Sequence, residues 1–568
     1  MGSKYLDELL CMSFFEPPSR QFHGKDHYIM HDLIHDLAEY VSRDDCLRLE
    51  DQKLVGETPD TTVRHVSFWH LQPYECGLLS LIDGVGKLTG LQELQVRGRQ
   101  LRELGGMCML RELKITYLEE VGSKEEAIQA RLQGKELLQI LKLEWRGRGS
   151  WSMNQDSRKP ELEEEVLQAL RPNKGIRELH IQGYKGSKSP DWMEVPTLLT
   201  SFSSLRRVSL KYCSNWQVLS CSRVDGGIET TSSPHPSPPT SASLSRLDIS
   251  SCGNLTSISG LLQQQLPNLV EMDINHCKNL VSLPEKGFGH LVSLKMLKLT
   301  ECPKLTCLAQ KEDEDALSQH LPCSLEELEI SRCGDAMGGW WWAGMERLTS
   351  ISKLSLCGCP TTIELLFDRL KRNPHPHLPA TLRQLQIKGC NRSEHGQQSS
   401  TSSACSSQLS PPPTLPPIPH SNVGASEGVL RAFTSLKELT IRDSPNFLQK
   451  WGGCGPPSSL ERLTVAGDDD LSHEDLSAWW HNLISLKKLI LENLSALPDL
   501  SGLSSLTNLH VYDCPSIQSW PASGLPSSLN YLEIRECPAL TERHVGKPKS
   551  LWPEVARIPR VDIDGKPN

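Results

Sequence analysis

Aromatic side chains are scarce in this sequence: Phe, Trp and Tyr together make up 5% of its 568 residues. A string of ordinary enzyme domains, each with its own ring-filled core, would carry more. No apolar run reaches the roughly 18 residues of a membrane-crossing helix, so no membrane span is expected. The start, Met1-Gly2-Ser3-Lys4-Tyr5-Leu6, lacks a basic region followed by a long apolar stretch, so a secretory signal is not expected either. Positive charge is not in excess. Lys plus Arg number 60 against 69 Asp plus Glu, a net charge of −9, whereas nucleic acid as main partner calls for a strongly basic surface. There are 19 cysteines but no C-x-x-C pair. That removes the usual zinc-ribbon and thioredoxin readings, and without a secretion signal a disulfide framework is a poor default.

Leucine, by contrast, supplies 87 residues, and its spacing is regular. Leu244-Ser-Arg-Leu247-Asp-Ile249-Ser-Ser-Cys252 aligns with Leu269 to Cys277 and Leu294 to Cys302, then with Leu325 to Cys333, Ile351 to Cys359 and Leu382 to Cys390. The pattern L-x-x-L-x-L-x-x-C, the strand segment of a leucine-rich repeat, returns at Leu506 and Leu529. Looser copies begin at Leu91, Leu110, Leu138, Ile176, Leu205, Leu436, Leu460 and Leu486, giving sixteen in all. Alternate strand residues point to opposite sides, so the fourth and sixth positions should form inward ladders through the stack. Nine cysteines (213, 252, 277, 302, 333, 359, 390, 514 and 537) occupy the ninth position. There a small apolar thiol fits a tight turn and can donate weakly to a backbone carbonyl. Structural packing is the expected role for these thiols, rather than metal or redox chemistry.

Each copy then carries an apolar residue three positions past the Cys, as at Leu255 and Leu280, and often a Pro before the next copy, as at Pro267 and Pro526. Short turns and coil are expected there, not long helices. One copy cannot bury its own apolar face, so the copies must stack and the ends must be capped. The tail 541–568, with Trp552, Val555, Ile558, Val561 and Ile563, is the candidate C-terminal cap. Two insertions, near 225–241 and 396–421, are rich in Ser, Gln and Pro and should be disordered loops. The second ends in Pro411-Pro-Pro-Thr-Leu-Pro-Pro-Ile-Pro419, either a tolerated insertion or a polyproline ligand. Trp340-Trp341-Trp342 either packs on the convex side or forms a contact patch. The acidic runs at 312–315 and 468–470 lack calcium-loop spacing.

Residues 1–60 do not repeat. Apolar residues at 30, 33, 34, 37, 38 and 41 mark one face of a helix, and an earlier helix is expected over 5–11. Helix, short hairpin, helix is consistent with the end of a winged-helix unit. His31 and His35 share a helix face, but a zinc helix needs Glu where Asp32 stands, and no third ligand follows, so no metal is expected.

Met30-His31-Asp32, within Met30-His-Asp-Leu-Ile-His-Asp-Leu-Ala38, resembles the M-H-D motif of plant nucleotide-binding leucine-rich-repeat disease-resistance receptors of the coiled-coil class. Leu9-Leu-Cys-Met-Ser-Phe-Phe15, Val63-Arg-His-Val-Ser-Phe68, Gly86 to Leu94 and Val166 to Ile181 are also similar to that family. The resemblance implies an α/β repeat solenoid over 61–568: a leucine-rich-repeat horseshoe with short parallel strands on the concave face, preceded by a small winged-helix remnant. It implies that His31, with Met30 and Asp32 as neighbours, approaches the phosphates of ADP in the family's off state. No G-x-x-x-x-G-K-[ST] loop is found to cradle phosphates. ADP or ATP is therefore expected in full-length family members, with no cofactor and no enzyme activity for this chain alone. The cytoplasm is the implied location, with the nucleus also open.

Partners are expected on the outward third, fifth and seventh strand positions. Arg97, Lys114, Lys142, Arg207 and Lys211 make an early strip that leans basic, while Asp248, Glu271, Asp273, Glu327 and Glu329 make a middle that leans acidic. His510, Tyr512 and Tyr531 form a late amphipathic patch of the kind enriched at interface hot spots. The expected partners are a pathogen effector or guarded host protein and the receptor's own nucleotide-binding domain. Alternatives are an ordinary solvated face, a truncated decoy or regulator, and a protein-interaction adaptor such as a ubiquitin-ligase substrate adaptor.

Overall fold

The computed structural model describes short stretches between residues 12 and 68. From 90 to 567 it describes all but residues 146–159, 217–242, 263–265, 282–287, 306–320, 334–347, 368–379, 390–429, 445–454, 468–479 and 543–552, with a few isolated positions. Both insertions, the Trp340–Trp342 cluster, the acidic runs, the helix expected over 5–11, Cys390 and His31 lie outside the described residues.

At the N-terminal end two short hairpins nest. Phe15–Glu16 pairs antiparallel with Ile29–Met30, and Gln21–Phe22 with Lys25–Asp26. The helix Asp32–Val41 follows at once. Its expected apolar face is not covered throughout, since Leu37 and Val41 are 57% and 74% exposed. Cys46–Leu49 then pairs in parallel with His65–Phe68, straddling the boundary expected at residue 60.

The chain divides into two compact units near residue 216, each taken by itself. The first holds five parallel strands: Glu93–Arg97, Glu112–Thr116, Ile140–Glu144, Glu178–Gln182 and Arg207–Lys211. The second holds twelve, from Arg246–Ser250 to Arg560–Ile563. Every one of the sixteen copies read from the sequence forms a strand over its third to seventh positions. In the second unit the fourth and sixth side chains are buried from Leu247 and Ile249 to Leu532 and Ile534, and the first-position residue joins them, as at Leu294. The connections are mostly coil and short turns. Pro160–Ala169, at ten residues, is the longest helix among the described connections.

How each strand ends explains the cysteines. In most copies the eighth residue adopts a left-handed backbone, with φ +57° at Ser251, +54° at His276 and +49° at Arg332. Its N–H then reaches the next copy: Ser251 N donates to the Asn275 carbonyl at 2.8 Å and Arg332 N to that of Cys357 at 2.7 Å. Gly183 takes this role after the fourth strand (φ +77°), where a Cβ would stand 2.4 Å from the Trp145 carbonyl oxygen. The chain bends, and the ninth side chain points inward. None of the described ninth-position thiols forms a disulfide, and all are buried. Each donates to the carbonyl two residues back, at 3.3 Å for Cys302, 3.1 Å for Cys514 and 3.2 Å for Cys537. Hydrogen bonding to Cys277 and Cys333, together with burial, pushes the Cys302 thiol up, which keeps it protonated at neutral pH.

The C-terminal cap is itself a further copy. Ile558-Pro-Arg-Val561-Asp-Ile563 repeats the pattern, and Val555, Ile558 and Val561 are buried. Its strand pairs in parallel with Tyr531–Arg535. The chain then turns at Gly565 into Lys566–Pro567, which lies antiparallel on it and occupies the sheet edge.

Candidate functional site

The outward strand positions carry nearly all the candidate binding residues, and adjacent strands pair their charges sideways. In the first unit Lys114 lies 3.0 Å from Glu144, and Lys142 lies 2.5 Å from Glu112. The Arg97 guanidinium sits 4.0 Å over the Tyr117 ring and pairs with Glu120. Arg207 is half-buried and Lys211 exposed. The early strip is thus a lattice of partly screened ion pairs rather than a free basic surface. Each such exposed pair contributes about 0–1 kcal/mol, so their main effect is on the local field.

The middle strip follows the same rule. Arg246 Nε donates to both oxygens of buried Asp248, at 3.0 and 3.2 Å, and its guanidinium also pairs with Glu271. Glu327 lies 3.5 Å from Lys353, and Glu329 lies 3.5 Å from Lys298. Asp273 stands between Asp248 and Lys298 in register. Burial first, and the Asp248 charge second, raise its pKa above the ordinary carboxylate value.

The late patch is the most closely built part of the face. His510, Glu533 and Asp562 stand side by side on three successive strands. His510 Nδ1 lies 2.7 Å from Glu533 Oε2, and the Tyr512 hydroxyl donates to that same oxygen at 2.8 Å. Arg535 pairs with the other oxygen. The His510 ring meets Tyr512 and Tyr531 edge-on, with centroids 5.7 and 5.5 Å away. The structure therefore joins the three residues expected here and adds Glu533 as their common acceptor. Glu533 stands at the outward position of its own copy, but no local motif marks it, because His510 and Tyr512 lie 23 and 21 residues away in sequence.

Burial, reinforced by the nearby Lys488 charge, lowers the His510 pKa below the ordinary value, although Glu533 pulls the other way. The folded protein thus binds this proton less readily than the unfolded chain. Its contribution to stability is complete above the unfolded value of about 6.5 and declines as pH falls through that value toward the folded one. Urea midpoints on either side of pH 6.5 should show acid destabilisation, and His510→Phe should shrink it. An equal loss in both proteins would remove His510 as a cause.

Two features of the face escaped sequence analysis. The residue before the first leucine is Ser or Thr in most copies, and in several of them its hydroxyl donates to the first-position carbonyl of the preceding copy. Ser324 reaches Leu294 O at 2.9 Å, Thr381 reaches Ile351 O at 2.8 Å and Ser528 reaches Leu506 O at 2.8 Å. The column is plain once copies are aligned from one position earlier. The second feature is a buried cluster around Lys135, which no repeat position foretells.

At the N-terminal motif, half-buried Met30 ends a strand and Asp32 opens the helix, on either side of His31. Among the described residues no three His, Cys, Asp or Glu side chains are arranged to hold a metal ion. No described helix is long and apolar enough to cross a membrane.

Residues 1–38 match the model of the disease-resistance protein winged-helix domain, and residues 101–223 that of the R13L1/DRL21 leucine-rich repeats. The putative disease resistance RPP13-like protein 1 of Arabidopsis thaliana is 36% identical over 118 residues, 20% of this chain and 11% of that protein. Disease resistance protein RGA2 of Solanum bulbocastanum is 30% identical over 142 residues, 24% of this chain and 13% of that protein. The matched part is thus a small fraction of these relatives' length. Among solved structures, an internalin of Listeria monocytogenes aligns at 12% identity and a TM-score of 0.30, over 75% of this chain and 82% of that one.

Proposed function

We propose, for a chain that carries the winged-helix and leucine-rich-repeat features of plant nucleotide-binding disease-resistance proteins, that it is the partner-binding portion of such an immune receptor. The observation that carries this is collinearity. A disease-resistance winged helix at 1–38 leads into R13L1/DRL21 repeats at 101–223, and the same strand pattern continues to Ile563. The strand face then recognises a pathogen effector or a host protein that the effector modifies. The early repeats dock on the receptor's own nucleotide-binding domain and restrain it. ADP or ATP belongs to that domain, and this chain would add at most His31, flanked by Met30 and Asp32, to the nucleotide's surroundings.

Docking through charge requires the orientation of the lattice, not its net charge. Reversing Lys114 and Lys142 to Glu should weaken association with the nucleotide-binding half of a full-length relative about tenfold, measured by titration at low salt. A second protein exchanges each pair instead, Lys114→Glu with Glu144→Lys and Lys142→Glu with Glu112→Lys. It keeps the ion pairs and serves as the folding control. Unchanged association in both proteins would sink the docking role.

A further inference from the structure

The late patch leaves two acceptors without donors. Among the described residues nothing donates to His510 Nε2 or to Asp562 Oδ1, and both atoms are buried. His510 as a whole is 6% exposed. The state of the ring follows from its neighbours. Burial raises the Glu533 pKa, but hydrogen bonds from Tyr512 and His510 and the Arg535 charge outweigh it, so the carboxyl stays ionised. An ionised carboxylate only accepts, so the His510 proton sits on Nδ1 facing it. Nε2 is then an unpaired lone-pair acceptor on a ring that meets Tyr512 and Tyr531 edge-on.

We infer that the strand face of the last three copies receives an extended segment of a partner protein through uncharged hydrogen-bond donors, the carboxamides of Asn or Gln. This rests on the reading of the strand face as a protein-binding surface and names the chemistry of one part of it. A carboxylate or phosphate would set its own lone pairs against those of His510 and Asp562. A purely apolar segment would leave both acceptors buried and unpaired, which is costly. An ammonium or guanidinium gains little, because Lys488 and Arg535 oppose a positive charge at the His510 ring and offset the pull of Glu533. A carboxamide donates without charge, and its flat face suits the tyrosine walls. His510 and Asp562 lie two strand intervals apart, roughly 9–10 Å, a gap that two same-face side chains two residues apart on an extended chain, about 7 Å at their backbone, reach by splaying.

The test is selection of a phage-displayed random peptide library on the immobilised full chain, followed by affinity measurement of the enriched peptides. The expected peptides carry Asn or Gln and bind His510→Phe about tenfold more weakly, the loss of one well-made hydrogen bond. Asp562→Asn, which replaces an acceptor oxygen with a donor of the same shape, should weaken them similarly and carries the test if His510→Phe does not fold. Enriched peptides that depend on His510 but share an acidic or basic consensus would overturn the carboxamide assignment and leave the face as a binding surface. Peptides indifferent to both substitutions, or no enrichment, would overturn the site itself. Failure of the docking role shows separately, in the charge reversal of the first unit.

Discussion

Lys135→Met should lower the stability of the first unit by about 3 kcal/mol, because two buried carbonyls lose the ammonium they share, and only that of Leu104 keeps a second donor, the Met107 N–H at 3.0 Å. Lys135 is 1% exposed. Its ammonium donates to the carbonyl of Leu104 and, at 2.9 Å, to that of Met107. These carbonyls belong to the turns that close the irregular connection before Leu110. The Lys135 carbonyl in turn accepts from Asn173 Nδ2 at 2.7 Å, and the same amide reaches Leu138 O at 3.0 Å. One side chain thus ties the connection of one copy to the next, and Asn173 ties that to a third. Methionine fills the volume of the stem but donates nothing. Burial lowers the Lys135 pKa below its ordinary value, so the folded protein holds this proton less tightly than the unfolded chain. Stability should therefore rise as pH climbs toward that ordinary value, and Lys135→Met should lose this rise. Urea unfolding of the full chain at neutral and alkaline pH measures both effects. A Met protein as stable as the parent would mean that water reaches those carbonyls.

Lys135 shows where the sequence stops being readable. Every inward leucine and every ninth-position cysteine was legible, because each is fixed by contacts with the equivalent residue one copy away and so recurs at a fixed offset. The strands of the looser copies, such as Ile176 to Gly183, obey the same rule although most of them lack Cys at the ninth position. Charges on the outward face were legible as residues but not as pairs. Whether Lys114 is free or bound depends on Glu144, which lies in the next copy at a different position. The tail was read as a cap on the strength of its apolar residues. Its spacing, Ile558, Val561 and Ile563, already matches the first, fourth and sixth positions. The late cluster lay between these cases. His510, Tyr512 and Tyr531 stood out as residue types, while the carboxylate that organises them is an ordinary Glu until the strands are laid side by side.

That last copy is where a single substitution should do the most damage in the second unit. Val561→Asp should cost about 3–5 kcal/mol, since it places an unpaired carboxylate where the ladder expects an aliphatic side chain. Val561 is 3% exposed and stands in register beside Leu532, which is fully buried. Each copy in a repeat array is held chiefly by its neighbours, so the loss should spread from the end rather than melt the whole unit. Without the strand Arg560–Ile563, the edge at Tyr531–Arg535 would open, and with it the row that holds His510, Glu533 and Asp562. Hydrogen exchange should therefore quicken over 531–535 and 560–563 and stay unchanged at Glu271–Asn275, many copies away. Arg560→Asp places a carboxylate one residue earlier, at an exposed outward position, and should stay within about 0.5 kcal/mol of the parent. If both aspartates proved equally mild, Val561 would not be part of the ladder, and the array would end at Tyr531–Arg535. If the damage reached Glu271–Asn275 as well, the second unit would unfold as one cooperative block rather than from its end.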